Sequence, residues 1–211
     1  MSSPILLIDT DLFVLLAGAG LLPQLSQCLD IPPENIRRLP SLQSQIKSKR
    51  FIDKIPVGEL ERLQQAINDI PAWTASPADT AVLDRLAAVP DIDPGEALLF
   101  ATLYEQPVYL LASGDKRSMI ALGNAPGLDD VRTSLEKRIL SLETALILLI
   151  RKIGAIAVGS ALQPLGKKNT TIDILFGHKT EFDDIEAIRQ IRSYLKSLVA
   201  QIGPPLLYPI D

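Results

Sequence analysis

Four carboxylates stand where a chain of alternating strands and helices places its chemistry. Asp9 closes the apolar run Pro4 to Ile8, and Asp11 follows two residues on. Glu96 ends the helix-opening tetrad Asp93-Pro94-Gly95-Glu96, and Asp115 follows the apolar run Val108 to Ser113. Parallel-sheet folds take their ligands just beyond the C-terminal ends of the strands. Carboxylates gathered there repel one another unless a cation neutralises them, and oxygen ligands suit Mg²⁺ or Mn²⁺. An ion of that kind lowers the pKa of bound water and stabilises charge on a phosphodiester under attack.

Each acid also has an ordinary structural reading. Asp9 can bond the backbone N–H groups of the turn after its strand. Glu96 lies three residues after Asp93, the spacing of a capping box with Pro94 at the first helical position. Asp115 can cap a helix starting at Lys116.

The elements that must position these residues follow from the apolar pattern. Pro4 to Asp9 is continuously apolar before its acid, which suits a parallel strand covered on both faces. Helices are expected over Leu12 to Leu22, Gly58 to Ile70, Pro77 to Val89, Asp93 to Tyr104 and Lys116 to Leu122, with a second strand at Val108 to Ser113. This alternation predicts an α/β fold with a central parallel sheet. In the last third, the pattern predicts one long helix over Asp129 to Ile153 and a strand over Thr171 to Phe176. A helix over Thr180 to Ile202 follows, with Thr180 as N-cap and Gly203 ending it. That last helix should dock through Phe182, Ile185, Ile188, Ile191, Leu195 and Leu198. The division expected is a core over 1–125 and a C-terminal helix-strand-helix extension over 126–211, packed on the core.

Composition narrows the function classes. The 211 residues carry 21 Lys and Arg against 25 Asp and Glu, a net charge of −4, and 47% are apolar. A mostly disordered chain is excluded. One cysteine excludes an intramolecular disulfide and a Cys-rich zinc site, and one histidine excludes a His-rich metal site. Absent an export signal, the lone Cys28 fits a reducing cytoplasm. The most apolar stretch, Ala145 to Val158, is split by Arg151 and Lys152, so it reads as buried helix and not as a membrane span.

The acids and their context resemble a family. Asp9-Thr10-Asp11-Leu12-Phe13 after a strand, then Ile92-Asp93-Pro94-Gly95-Glu96-Ala97, then Tyr109 to Asp115-Lys116-Arg117 are similar in order and spacing to the PIN domain, over roughly Pro4 to Ala125. The resemblance implies a three-layer α/β fold and a metal-dependent ribonuclease, an activity many members use as toxins of toxin–antitoxin pairs. It makes Asp9, Glu96 and Asp115 the catalytic residues and the ligands of Mg²⁺ or Mn²⁺. Asp11 stands where the family commonly has a small polar residue and is taken as a further ligand. Active members often carry a fourth acid beyond the Asp115 position. Here Met119 stands four residues on, and Asp129 and Asp130 are the next acids.

Two other readings compete. A degenerate PIN-like module would bind RNA or a protein partner without cleaving. Asp9-Thr10-Asp11 also resembles the first motif of haloacid-dehalogenase-like phosphatases, but Leu12-Phe13 replaces the Gly-Thr that usually follows. Between Ile36 and Lys54, the cations Arg37, Arg38, Lys47, Lys49, Arg50 and Lys54 face only Asp53. Arg37, Arg38, Lys47, Lys49 and Arg50 are candidate RNA-phosphate contacts, the alternative being a solvated face. The apolar positions from Ile139 to Ile150 suit either a homodimer or partner surface or a buried core. His178 reads as a turn residue, Cys28 as a small buried hydrophobe, and Trp73 as a loop residue packed on the core.

Overall fold

The computed structural model describes residues 4–53, 55–74, 80–166, 169–177, 183–203 and 205–210. Lys54, His178, Thr180 and Phe182 lie outside the described residues. In chain order the elements are β1 (Ile5–Ile8), α1 (Thr10–Gly18), α2 (Leu22–Cys28), β2 (Ile36–Arg38), α3 (Leu42–Gln45), α4 (Lys49–Ile52), α5 (Val57–Asp69), α6 (Thr80–Ala87) and α7 (Pro94–Glu105). They continue with β3 (Tyr109–Ser113), α8 (Lys116–Asn124), α9 (Asp129–Ser134), β4 (Ile139–Ser141), α10 (Leu142–Ile153), α11 (Ala155–Gly166), α12 (Thr170–Phe176) and α13 (Asp184–Ile202).

The four strands form one all-parallel sheet in the order β2-β1-β3-β4. Successive strand residues face opposite sides. Leu6 and Ile8 enter one hydrophobic core with α1, α2, α5, α10, α11 and α12. Leu7, Leu111 and Ile139 enter the other with α6, α7, α8 and α9. A sheet covered by helices on both faces explains why β1 and β3 read as unbroken apolar runs. The chain leaves β1 for β2 on one side, then crosses back to β3 on the other. The C-terminal ends of β1 and β3 therefore flank the topological switch point, the crevice where open parallel sheets bind ligands.

The last third differs from its sequence pattern. The long helix expected over Asp129 to Ile153 is α9, then β4, then α10. Lys137 adopts φ 59° in the connection, and β4 pairs with β3. The strand expected over Thr171 to Phe176 is the helix α12, because Asn169 caps it through Ile172 N and buries Ile172, Leu175 and Phe176 at helical spacing. The helix expected from Thr180 starts at Asp184, capped by Asp183, which accepts from Glu186 N. It packs Ala187 and Ile191 on one core and Leu198 and Ile202 on the other, while Ile185 is 79% exposed. The tail pairs along β4, with Ile139 N donating to Leu206 O at 3.1 Å and Tyr208 N to Ile139 O at 2.7 Å.

Ile139, Leu140, Leu142, Ala145, Leu146, Ile147, Leu149 and Ile150 are all buried within the chain's own cores, so they offer no dimer or partner surface. Among the described residues, no single helix is long and apolar enough to cross a membrane.

Candidate active site

Asp9 joins β1 to α1. As N-cap it accepts Leu12 N on Oδ1 at 2.7 Å, while Oδ2 accepts the Ser113 hydroxyl at 2.5 Å and Gly114 N at 2.8 Å. One carboxylate thus ties the end of β1 to the end of β3. Burial pushes Asp9 up to about 6; the bonds from Ser113, Leu12 and Gly114 pull it down, and the charge of Asp11 adds to the rise.

Ser113 turns this tie into a relay. Its hydroxyl also accepts from Asp115 N at 3.2 Å, so it sets the turn that presents Asp115. Asp115 caps α8, its Oδ1 accepting Arg117 N at 2.8 Å and Ser118 N at 3.2 Å. The Arg117 guanidinium stands 3.7 Å from Oδ2, with its side chain mostly in solvent. Glu96 forms the capping box its spacing predicts: Asp93 N donates to Oε2 at 2.8 Å and Glu96 N to Asp93 Oδ1 at 2.8 Å. All three acids therefore do serve as structural helix-terminus groups.

They also share one cavity of about 750 Å³ beyond the C-terminal ends of β1 and β3, which Asp9, Asp11, Asp93, Glu96 and Asp115 all line. Glu96 is pushed up to about 7. Burial is the largest cause, opposed by the bond from Asp93 N, and the charge of Asp115 and a side-chain hydrogen bond with it add to the rise. Like charges lining one cavity raise the cost of ionising each other, a cost that a cation would relieve. Among the described residues, however, no three acidic, histidine or cysteine side chains are gathered closely enough to hold a metal ion.

Asp129 and Asp130 point elsewhere. Asp129 pairs with Arg132 at 2.5 Å, and Asp130 pairs with Arg85 at 2.6 Å, which holds it down at about 2. Met119 is fully buried. Asp11 and Asp93 are thus the further acids lining the cavity.

The basic stretch divides. Arg38 is only 7% exposed, and its guanidinium donates to the carbonyls of Ile67 and Ile70 and to Gln43 Oε1. It is a structural anchor rather than a phosphate contact. Arg37 spends its guanidinium on the carbonyls of Glu34 and Ile36, near the opposite end of the sheet. Lys47 and Lys49 are exposed, and Arg50 lies in α4.

Sequence reasoning missed the role of Ser113, whose only signal was a hydroxyl at a strand end beside Gly-Asp. It also missed Glu143, in the first turn of α10 and fully buried, which pairs with Lys116 at 2.5 Å. No protein-family model matches the chain, and comparison with curated proteins and with solved structures returns no match. No family is therefore assigned.

Proposed function

We propose that the cavity is the site of a PIN-type, divalent-cation-dependent ribonuclease, built on a three-layer α/β fold. The observation that carries this reading is the single cavity at the strand ends that Asp9, Asp11, Asp93, Glu96 and Asp115 all line, where burial and the charge of Asp115 push Glu96 up. Their oxygens fit Mg²⁺ or Mn²⁺, and Glu96 and Asp115 would hold the ion. Bound there, the ion would supply an activated water and charge neutralisation at the scissile phosphate. Asp9 fixes the turn Ser113-Gly114-Asp115 through its two Oδ2 bonds. Asp11, exposed in the first turn of α1, adds to the negative field.

The test is cleavage of end-labelled single-stranded RNA with Mn²⁺ and with chelator, for the unmodified protein, Glu96→Gln and Asp115→Asn. Cleavage that requires Mn²⁺ and falls at least about a hundredfold in both variants supports the reading, since losing an ion ligand costs that order of affinity or rate. RNA left intact in every Mn²⁺ or Mg²⁺ condition overturns it.

A non-catalytic module binding RNA or a protein is the second reading. It is favoured by Asp9, both of whose oxygens already accept hydrogen bonds, and by the absence of a gathered three-ligand set among the described residues. The same engagement of Asp9 gives the phosphatase alternative little support, since that chemistry needs a free carboxylate oxygen as nucleophile.

A further inference from the structure

We propose that the wall of the acidic cavity built by α3, α4 and the residues around them is a nucleobase subsite, with Phe51 as its stacking platform. The identity of the ligand rests on the ribonuclease reading; the subsite itself rests on the wall. The cavity is far larger than one hydrated ion requires. Besides the carboxylates it is lined by Leu39, Phe51, Ile55 and Leu165 and by Ser41 and Gln45. Phe51 is half-buried and packs on the core while also facing the cavity. Ser48 fixes its place by capping α4, accepting Phe51 N at 3.3 Å. An aromatic ring held against a core on one side and facing a nucleotide-sized space on the other suits a planar aromatic ligand.

Charge selects among planar ligands. A basic peptide would suit the carboxylates but would meet the exposed Lys47 and Lys49, which stand between Gln45 and Phe51 in the chain at the end of α3 and the start of α4. A single-stranded nucleic acid satisfies both. Its base stacks on Phe51, and its flanking phosphates lie toward the two lysines, away from the acids. Ser41 and Gln45 are placed to hydrogen-bond a base edge. Stacking without a matched set of edge contacts gives a preference for purines, which offer the larger face.

The test uses fluorescein-labelled pentaadenylate and pentauridylate RNA with the full chain, at low salt in chelator so that no cleavage intervenes. Phe51→Leu keeps the apolar packing and removes the aromatic face. Phe51→Trp keeps the face and adds an emitter, separable by difference from Trp73, which lines a small cavity at the opposite end of the sheet. We expect the unmodified protein to bind pentaadenylate more tightly than pentauridylate. Phe51→Leu should weaken pentaadenylate binding about tenfold with an unchanged melting temperature. Emission from Trp at position 51 should be quenched as pentaadenylate is added. Equal affinity of Phe51→Leu and the unmodified protein overturns the subsite, as does binding of an arginine-rich peptide where neither RNA binds. Mn²⁺-dependent cleavage, measured separately, distinguishes the two failures. Cleavage with no effect of Phe51→Leu on binding removes the subsite and leaves the nuclease; weakened binding without cleavage removes the nuclease and leaves the subsite.

Discussion

Lys116 carries its ammonium to within 2.5 Å of Oε1 of Glu143, whose carboxylate is completely shielded from solvent. The same ammonium lies 3.4 Å from Thr171 Oγ1 on α12 and 5.9 Å from the centre of the Tyr194 ring on α13. Asp115, one residue earlier, faces the cavity. The dipeptide thus joins the site to three helices of the C-terminal region. The lysine is 35% exposed and the glutamate is not exposed at all, so the two partners are unequal. Removing the lysine strands a buried charge, whereas neutralising the glutamate leaves a cation that can still reach water. Lys116→Met should therefore destabilise by about 3 kcal/mol, and Glu143→Gln by about 1 kcal/mol. The double variant should recover part of the loss of Lys116→Met. Urea unfolding of the three variants checks this, and the reverse order would show that Glu143 is not carried as a buried anion.

Asp9 and Glu96 give stability an unusual pH dependence. Burial moves Asp9 from 3.8 to about 6 and Glu96 from 4.5 to about 7. A carboxyl whose folded value is raised keeps its proton where the unfolded chain has lost it. Between the ordinary and the folded values the folded state binds more protons, so stability falls as pH rises and the cost is complete above about 7. Thermal melts in chelator should show a higher melting temperature at pH 5 than at pH 8, and Asp9→Asn and Glu96→Gln should each flatten the slope. A melting temperature that rises from pH 5 to pH 8 contradicts the raised values.

Arg38 and the pair Lys47, Lys49 should behave oppositely despite their common charge. Arg38→Lys loses the fork that spans the carbonyls of Ile67 and Ile70 and Gln43 Oε1, leaving buried acceptors unmet. A loss of about 2 kcal/mol in stability is expected, with no change in RNA affinity. Lys47→Ala and Lys49→Ala should leave stability within about 0.5 kcal/mol, and each should lower the salt dependence of RNA binding by about one phosphate contact. Parallel denaturant and salt titrations separate the two classes.

The strands that carry the acids were legible because burial on both faces leaves an unmistakable apolar run at β1 and β3, each ending in a hydroxyl, glycine or acid. The other two strands were not. β2 is three residues long, and two of them are arginines. Arg38 looks solvent-facing in the sequence because its partners, the carbonyls of Ile67 and Ile70, are brought to it only by tertiary packing. β4 hides inside a stretch with helical periodicity and is fixed by pairing with β3, not by local preference. The run Thr170 to Phe176 carries β-branched residues typical of a strand, yet Asn169 and the spacing of Ile172, Leu175 and Phe176 make it α12. Placement of the acids at strand ends and helix starts pointed to one crevice. The meeting of Glu96 and Asp115 in one cavity and the Ser113 relay depend on backbone turns that no spacing rule encodes.

Gly123 measures how tightly α13 is held. A Cβ there would lie 2.1 Å from Ile202 O, a backbone atom that cannot swing aside. Gly123→Ala must push α8 and α13 apart and should cost about 3 kcal/mol. Hydrogen exchange should show the loss concentrated in α13. An unchanged melting temperature would mean that the close crossing of the two helices does not persist in solution.

Divalent metal should stabilise the fold, and Asp115→Asn should remove most of that effect. Burial and the charge of Asp115 disfavour ionising Glu96 without a cation, and an ion at about 100 times its dissociation constant adds about 2.7 kcal/mol by mass action. Asn retains the capping acceptor that Arg117 N and Ser118 N use, while removing one negative charge. A residue that only caps α8 thus predicts little change on substitution, with or without metal. A residue that also holds the ion predicts melting in chelator that is unchanged or slightly higher, together with a much smaller shift in millimolar Mn²⁺. The metal should act most strongly at pH 8, where Glu96 no longer holds a proton, and least at pH 5, where it competes with one. Melts of both proteins at the two pH values, with chelator and with Mn²⁺, give the comparison directly. Identical melting of the unmodified protein with and without Mn²⁺ at pH 8 would favour the non-catalytic module over the nuclease.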